Sequence, residues 1–481
     1  MQKIIVRNFG PVEYAEIEIK KVLVLIGEQA SGKSTIAKLI HFFKSLRDEV
    51  FTSIYQDKYG SNFAINNNVI FPLLKKFHAF FGLPDNLTEF DITFYYDFKL
   101  DKYLNLKLIV YPDNGRSVAL NFSDNFFDDK SVSTISRIKQ FFQDELTINN
   151  IDPFVYEQQK IEHTNRLIIE LNDLFSHKQI DLLFGIADRP LTVAFSDLFE
   201  KYLFAHTQNR LSTNNSQDLN YQVIDETLMQ KFMERGEKIK GIFKQFKSFE
   251  GLIAFYSNNK DLQKNTIDAT KRLNLISKLE FIASKIYQIL KGKYIFDNFG
   301  EKIVTDSNMS VYLSNASSGQ QSAIRILQDI FICIFEDSKV FRIIEEPENH
   351  LFPVAQKHLI ELLSLMVNQD DDNQLIITTH SPYVLTVFNN LLFAKRVVDK
   401  NPSTEVEVSE IIPQEFWLNS NDFSAYSLGN HFMGEEAKYC ESIFNAEKGT
   451  IRQNYLDTVS EMLGGDFNAL YSIHAKTFGR R

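Results

Sequence analysis

The segment VLVLIGEQASGKST, residues 22–35, constrains the fold of this 481-residue chain more strongly than any other. It begins with a continuous apolar run, which predicts a strand buried on both faces of a sheet, and an amphipathic helix pattern starts at Ser34. The residues between them match G-x-x-x-x-G-K-[ST] at every fixed position. Glycines allow the backbone to wrap around a phosphate, and N–H groups at a helix N-terminus supply positive potential. The segment therefore predicts an α/β fold with a phosphate-binding loop between a strand and a helix.

Two side chains of this loop have the chemistry to bind a nucleotide together with a metal ion. Lys33 is expected to reach the terminal phosphates, and the hydroxyl of Ser34 is expected to bind magnesium. The alternative is a glycine-rich turn that precedes a helix by chance, and it is disfavoured because both flanks fit. The loop alone is compatible with kinases, GTPases and motor ATPases. The residues predicted to contact the nucleotide are Gly27, Glu28, Gln29, Ala30, Ser31, Gly32, Lys33, Ser34 and Thr35.

A second motif, EEPE, follows the apolar strand pattern of residues 340–344 and narrows this choice. Glu345 is predicted to hold the magnesium shell, directly or through water, and Glu346 to orient and polarise an attacking water. In the alternative interpretation, the strand simply ends in a solvated acidic loop. Many families place Asp, not Glu, at the first of these two positions.

A histidine, His380, ends a further apolar strand pattern in the segment TTHSP. Ligands of open α/β folds bind at the carboxyl ends of parallel strands, and this places His380 at the same edge as the EEPE motif. We expect it to donate to the terminal phosphate and to act with Glu346 in catalysis. A histidine in a strand-end turn that stands alone is more often structural.

The segment SSGQQ precedes an apolar helix pattern and is the least expected motif of the chain. Ser317, Ser318 and Gly319 lie before a helix that is predicted to begin near Gln320. A helix N-terminus with hydroxyls and free N–H groups can bind an anion. Taken in isolation, an ordinary serine N-cap is the better interpretation. Its position between the phosphate loop and EEPE is what favours a nucleotide contact.

The order phosphate loop, SSGQQ, EEPE and histidine resembles the ABC-type ATPases. Within that class the chain looks most like the RecF/SMC/OLD-related ATPases of bacterial anti-phage and repair systems. The resemblance covers roughly a third of the chain and is carried by IIVRNFGPVEYAEIEI, SSGQQSAIRIL, EEPENHLFPVAQ and TTHSPYVL. It implies ATP and Mg²⁺ as cofactors and a homodimer or larger assembly. It also implies that one copy closes over the γ-phosphate held by the other, through Ser317, Ser318, Gly319 and Gln320.

Further consequences of the resemblance concern neighbouring residues and partners. GIADRP, residues 185–190, resembles a strand-end motif of these ATPases, which implies that Asp188 and Arg189 lie near the nucleotide. The glutamine of the usual Q-loop is not assigned, and Gln158 and Gln159 are candidates by residue type only. OLD-type nucleases carry a Toprim domain after the ATPase, and residues 397–481 are too few and lack its acidic cluster. The resemblance therefore implies a separate effector such as a nuclease, as in two-gene defence systems like PARIS.

Composition limits the partners and the compartment. The formal net charge of −10 argues against a surface built mainly to bind DNA, although a local basic groove stays compatible with it. A RecF-like repair ATPase that clamps DNA and an ATP-bound scaffold with little turnover are the competing hypotheses. Two cysteines without metal-ligand spacing favour a reducing cytoplasm. No export signal and no apolar run of the roughly 20 residues needed to span a membrane are present, so no membrane partner is expected.

The predicted architecture is an α/β, ABC-type ATPase head with a large helical insertion and a mostly helical C-terminal tail. Residues 1–125 are predicted to form the N-terminal lobe with the phosphate loop. Residues 126–292 are predicted to form the helical insertion, including a helical hairpin. Residues 293–398 would complete the head, and residues 399–481 would form a helical C-terminal extension.

Overall fold

The computed structural model describes residues 1–56, 63–82, 88–112, 115–144, 153–176, 181–194, 224–258, 269–429, 438–452 and 467–472. The strands are β1 Gln2–Phe9, β2 Val12–Ile19, β3 Val22–Gly27, β4 Asp91–Asp97, β5 Lys102–Val110, β6 Arg116–Phe122, β7 Asp181–Gly185, β8 Lys293–Asp297, β9 Gly300–Val304, β10 Ser310–Tyr312, β11 Val340–Glu345, β12 Gln374–Thr379, β13 Phe423–Leu428, β14 Cys440–Ser442, β15 Phe444–Asn445 and β16 Thr450–Ile451. The main helices are α1 Lys33–Gln56, α2 Phe71–Phe81, α3 Asp129–Asp144, α4 Pro153–Leu174, α5 Arg189–Ala194, α6 Ile224–Phe246, α7 Phe249–Asn258, α8 Ala269–Leu290, α9 Ser318–Phe335, α10 Pro353–Val367, α11 Pro382–Lys400 and α12 Glu405–Ile411.

A mixed six-stranded sheet in the order β14-β13-β3-β12-β11-β7 forms the centre of the molecule. All neighbouring pairs are parallel except β13 with β14. Every residue of β3 and of β11 is buried, as their continuous apolar runs predict. The carboxyl ends of β3, β11 and β12 therefore lie at one edge of the sheet.

The two faces of this sheet bury different layers. Leu23 and Leu25 of β3 pack in a core with α1 and with an antiparallel sheet of order β2-β1-β4-β5-β6. Val22 and Val24 point to the opposite core, which contains apolar residues of α8, α9, α10 and α11. Successive side chains of β3 thus enter two different cores. The result is an α/β head with α1 packed on one face of the sheet, as predicted.

Two strands of the central sheet correct the sequence-based architecture. β7 lies within the segment that was predicted to be a helical insertion, and it pairs in parallel with β11. β13 lies within the predicted helical C-terminal extension, and it pairs in parallel with β3, with Leu428 opposite Gly27. The prediction of a mostly helical extension is therefore wrong for β13 to β16. Runs as short as DLLFG and FSAYSL cannot be assigned to strand or helix by periodicity alone.

The rest of the insertion is mainly helical where the structure describes it, with α3, α4, α5, α6, α7 and α8. Two long helices, α6 and α8, occupy the segment in which a helical hairpin was expected, and the shorter α7 lies between them in sequence. The four segment boundaries stay a prediction. Within the described ranges, every helix is too short or too polar to span a bilayer.

Candidate functional site

The phosphate loop links the end of β3 to the start of α1, and two of its glycines are required by close contacts. A Cβ on Gly27 would lie 2.2 Å from the carbonyl oxygen of Leu428. Gly32 has a φ of 80°, and a Cβ there would lie 2.5 Å from Cγ2 of Val12. No side chain fits at either position. The fixed glycines of the motif therefore follow from the packing of β2 and β13 against the loop.

Lys33 lies inside the curve of this loop. Its Nζ donates to the carbonyl oxygens of Gly27 at 3.0 Å and Glu28 at 2.6 Å. Burial lowers the pKa of Lys33 to about 8, against the opposing effect of nearby carboxylates, chiefly those of Glu346 and Glu348. The ammonium group is thus enclosed by carbonyl oxygens, with acidic side chains near enough to favour its charge.

Glu345 ends β11 and is buried. Its Oε2 accepts a hydrogen bond from the N–H of Ala187 at 3.3 Å, whereas Oε1 is buried with no partner within the described residues. Burial raises the pKa of Glu345, although the nearby Ser34 hydroxyl and the charge of Lys38 act in the opposite direction. The two residues predicted to bind magnesium are therefore neighbours.

This pair has the donor set of a magnesium site. Mg²⁺ prefers oxygen ligands and is usually held by one or two carboxylates, with substrate phosphates and water completing the shell. A hydroxyl beside a buried carboxylate oxygen without a partner fits that requirement. Across the described ranges there is no group of three or more His, Cys, Asp or Glu residues that could hold a metal ion without a substrate.

Glu346 and His380 face each other at the same edge. Oε1 of Glu346 lies 3.3 Å from Nε2 of His380, and both side chains are partly exposed. The hydrogen bond with His380 is the main cause of a lowered pKa of Glu346. Glu346 has a φ of 42°, and its N–H donates to the carbonyl oxygen of Thr378 at 2.8 Å. This backbone bond turns the carboxylate toward the end of β12.

Glu348 is a third acidic residue of this edge, and sequence analysis assigned it no role. Its Oε1 accepts hydrogen bonds from the backbone N–H of His380 at 3.0 Å and from Oγ1 of Thr379 at 2.5 Å. Its Oε2 is buried without a partner in the described part of the chain, and burial raises its pKa. Glu348 therefore fixes the position of the backbone at Thr379 and His380 through these hydrogen bonds. Its position in the EEPE motif is the sequence feature from which a role for Glu348 could have been predicted.

Arg189 is fully buried below the carboxylate pair. Its Nη1 donates to the carbonyl oxygens of Ile186 and Glu345, both at 2.5 Å, and Nη2 donates to that of Glu346 at 2.7 Å. The structure thus places Arg189 against the backbone of both predicted functional carboxylates. Asp188 is exposed, and the Q-loop candidates Gln158 and Gln159 are exposed on α4.

The SSGQQ turn forms the N-terminus of α9, which begins two residues earlier than predicted. Ser317 and Gln320 cap the helix reciprocally, because each side chain accepts a hydrogen bond from the other residue's backbone N–H. The N-cap interpretation is therefore correct for Ser317. Ser317 and Ser318 are exposed, and a Cβ on Gly319 would lie 2.6 Å from the carbonyl oxygen of His350. No hydrogen bond within the described residues joins this turn to the phosphate loop of the same chain.

Comparisons with known proteins give the family of the chain. The sequence profile of the family described as AAA ATPase domain matches residues 1–385. An OLD nuclease of Thermus scotoductus is 30% identical over 150 residues, which are 30% of this chain and 27% of that protein. The matched part thus spans less than a third of that relative.

Two solved structures are similar at low sequence identity. The SMC head domain from Thermotoga maritima has a TM-score of 0.30 and 11% identity, over 80% of this chain and 90% of that one. An ATP-binding cassette in a dimeric post-hydrolysis state, bound to ADP and Pi, has a TM-score of 0.26 and 10% identity, with the same coverage. On the match over residues 1–385, the chain belongs to the AAA ATPase domain family.

Proposed function

We propose that this protein binds and hydrolyses ATP with Mg²⁺, and that two copies are needed to complete each active site. One observation carries the catalytic part. The partly exposed Glu346–His380 pair lies at the sheet edge that also presents Lys33 and the buried Glu345. Such an edge combines a phosphate-binding loop, a metal-binding carboxylate and a base for water.

The proposed chemistry assigns one task to each group. The ammonium of Lys33 exchanges its own loop carbonyls for the terminal phosphate oxygens of ATP. Ser34 and Glu345 would hold Mg²⁺, which would supply positive charge to the phosphates. Glu346 stays ionised because His380 lowers its pKa, and it accepts a proton from the attacking water. Glu348 acts through the backbone, because it fixes the position of His380.

Exposed groups support the need for a second copy. Ser317 and Ser318 are exposed at the N-terminus of α9, where the helix dipole favours an anion. Large apolar side chains that follow the EEPE motif and His380 in sequence are exposed to solvent, namely Phe352 at 76%, Val354 at 52% and Tyr383 at 55%. A contiguous exposed apolar patch marks a protein interface, and we propose that these three side chains belong to one. In the proposed dimer, this surface covers the nucleotide of the other copy.

The biological role that we propose is a defence ATPase that controls a separate effector, such as a nuclease. It is supported by the partial match to an OLD nuclease and by the net charge of −10, which does not favour a DNA clamp. ATP occupancy would then drive engagement of two copies, and hydrolysis would release them. Turnover that rises with DNA and falls steeply with salt would favour the repair alternative instead.

Two variants test the proposal. Glu346→Gln should retain ATP binding and lose about 10²- to 10⁴-fold in turnover, the range typical of a general base. Equal and negligible turnover in the wild type would favour the scaffold alternative. Ser318→Arg should bind ATP as a monomer and should not hydrolyse it, whereas Ser403→Arg, at an exposed serine outside this surface, should behave as the wild type.

Complementation then separates action within one chain from action between chains. Ser318→Arg lacks a functional turn, and Lys33→Ala lacks a functional phosphate loop. A mixture of the two retains one intact composite site, so turnover should return on mixing. Normal hydrolysis by monomeric Ser318→Arg would refute the composite site.

A further inference from the structure

The C-terminal strands pack against the phosphate loop. Leu428 pairs with Gly27, and Gly429 follows it with a φ of 74°. A Cβ on Gly429 would lie 2.6 Å from Cβ of Ser31, and the N–H of Gly429 donates to the carbonyl oxygen of Tyr439 at 2.8 Å. These contacts come from residues beyond 385, where the family match ends. Part of the loop's support therefore lies outside the matched region.

Tyr439 makes the polar contact of this support. Its hydroxyl lies 3.0 Å from the carbonyl oxygen of Ser31 and 2.6 Å from that of Pro11, in the turn between β1 and β2. Burial raises the pKa of Tyr439 to about 12, so the phenol keeps its hydrogen and acts as a donor at physiological pH. The two carbonyls share the single hydrogen of this phenol, and the contact joins three separate segments of the chain.

The planarity of the peptide bond transmits this contact to the inside of the loop. In a trans peptide, the C=O and the following N–H point in opposite directions. Holding the carbonyl of Ser31 on Tyr439 therefore directs the N–H of Gly32 away from the C-terminal strands. Within the described residues, this N–H has no acceptor. The N–H of Gly32 is therefore a free donor, and the contact between Tyr439 and the carbonyl of Ser31 fixes its direction.

We infer that Tyr439 is a positioning residue for nucleotide binding, because it orients the Ser31–Gly32 peptide so that the N–H of Gly32 is available to a phosphate oxygen. This inference rests on the proposed function and extends it to a residue that does not touch the nucleotide. Phosphate loops bind through successive N–H groups that point at the ligand. A peptide free to rotate would present its carbonyl oxygen part of the time, and an oxygen repels phosphate.

The chain provides a matched control in Tyr426 of β13. The hydroxyl of Tyr426 accepts a hydrogen bond from the backbone N–H of Glu18 at 3.0 Å, and burial raises its pKa to about 12 as well. Tyr426→Phe thus removes a partly buried phenol–backbone bond of the C-terminal strands without touching the phosphate loop. Any general effect of weakening the C-terminal strands should occur in both variants.

The test measures ADP binding by calorimetry and ATP turnover in the full chain. Losing one net hydrogen bond predicts a dissociation constant roughly three- to tenfold higher for Tyr439→Phe, with KM raised and kcat little changed. Tyr426→Phe should bind ADP as tightly as the wild type. Equal ADP affinity in Tyr439→Phe and wild type, or the same loss in both variants, overturns the inference. A wild type that binds no nucleotide overturns the proposed function, and the inference with it.

If Tyr439→Phe folds poorly, a second pair of variants tests whether the C-terminal segment positions the phosphate loop. Gly429→Ala places a methyl group against Ser31 and should also weaken ADP binding. Gly82→Ala is its control, because Gly82 has a φ of 98° and open space where a Cβ would lie. Both substitutions strain the backbone, but only the first pushes on the loop. Equal ADP affinity in the two variants would count against positioning of the loop by the C-terminal segment.

Discussion

Arg189 and Ser322 are joined by two hydrogen bonds that connect the SSGQQ helix to the carboxylate edge. Nε of Arg189 donates to the carbonyl oxygen of Ser322 at 3.2 Å, and Nη2 donates to its hydroxyl at 3.3 Å. The same guanidinium donates to the carbonyl oxygens of Glu345 and Glu346. A shift of α9 would therefore be transmitted to the backbone of both carboxylates.

Replacing Arg189 with lysine should uncouple these elements. An ammonium group has three donors and cannot reproduce the planar fork, so buried carbonyl oxygens lose their partners. We expect the free energy of unfolding to fall by roughly 2–4 kcal/mol, and kcat to fall more than the affinity for ATP. Urea denaturation and steady-state kinetics measure the two effects. Ser322→Ala keeps the carbonyl acceptor and should cost about 1 kcal/mol or less. An unchanged kcat in Arg189→Lys would show that this link is only structural.

A buried ion cluster below the sheet should contribute strongly to stability. Asp329 of α9 accepts hydrogen bonds from Nε of Arg342 at 2.6 Å and from Nε of Arg235 at 2.8 Å. Asp329→Asn would leave Arg235 without this counter-charge and Arg342 with only the half-exposed Asp181, which costs roughly 3–5 kcal/mol. Asp372→Asn, in an exposed pair with Lys339, should cost less than about 1 kcal/mol. Equal midpoints of urea unfolding in the two variants would contradict this expectation.

The parts of the site that could be predicted from sequence are those fixed by local pattern. Continuous apolar runs identify β3, β11 and β12, because strands buried on both faces cannot alternate in polarity. The ends of parallel strands meet at one edge, and this brings Glu345, Glu346 and His380 together. The capping box of Ser317 and Gln320 is likewise local. In each case a local run of residues identifies the element, and the general rule for parallel strands then places the strand ends together.

The parts that could not be predicted depend on contacts between distant segments. Tyr439 reaches Ser31 across 408 positions of sequence, and no pattern near either residue indicates the contact. Arg189 was expected near the nucleotide, but the direction of its side chain depends on α9 and β11. β13 reads FSAYSL, and its serines interrupt the apolar run that would mark a buried strand. Tertiary packing, not local preference, decides such short elements.

Nucleotide affinity should fall as pH rises above about 8. Burial lowers the pKa of Lys33 to about 8 in the free protein, and phosphate binding requires its charged form. Below this pKa the charge is present. Above it, binding must first add a proton, so the dissociation constant for ADP should rise by up to about tenfold per pH unit. Lys33→Arg stays charged over this range, and its affinity should depend less on pH. Parallel pH profiles for the two proteins between pH 7 and 9.5 would argue against this role of Lys33.

Stability itself should rise from pH 7 to 10 because of Lys44. This residue of α1 is buried, its Nζ donates to Oε1 of Gln374 at 2.9 Å, and burial lowers its pKa to about 7. Between that value and the ordinary lysine pKa, the unfolded chain binds more protons than the folded one, so raising the pH favours folding, by roughly 3 kcal/mol for this group. Lys44→Met removes the titration and should unfold with a flatter pH dependence than wild type. The exposed Lys395→Met is the control and should keep the wild-type slope. If wild type and Lys44→Met gain equally in urea midpoint over this range, the rise comes from other groups.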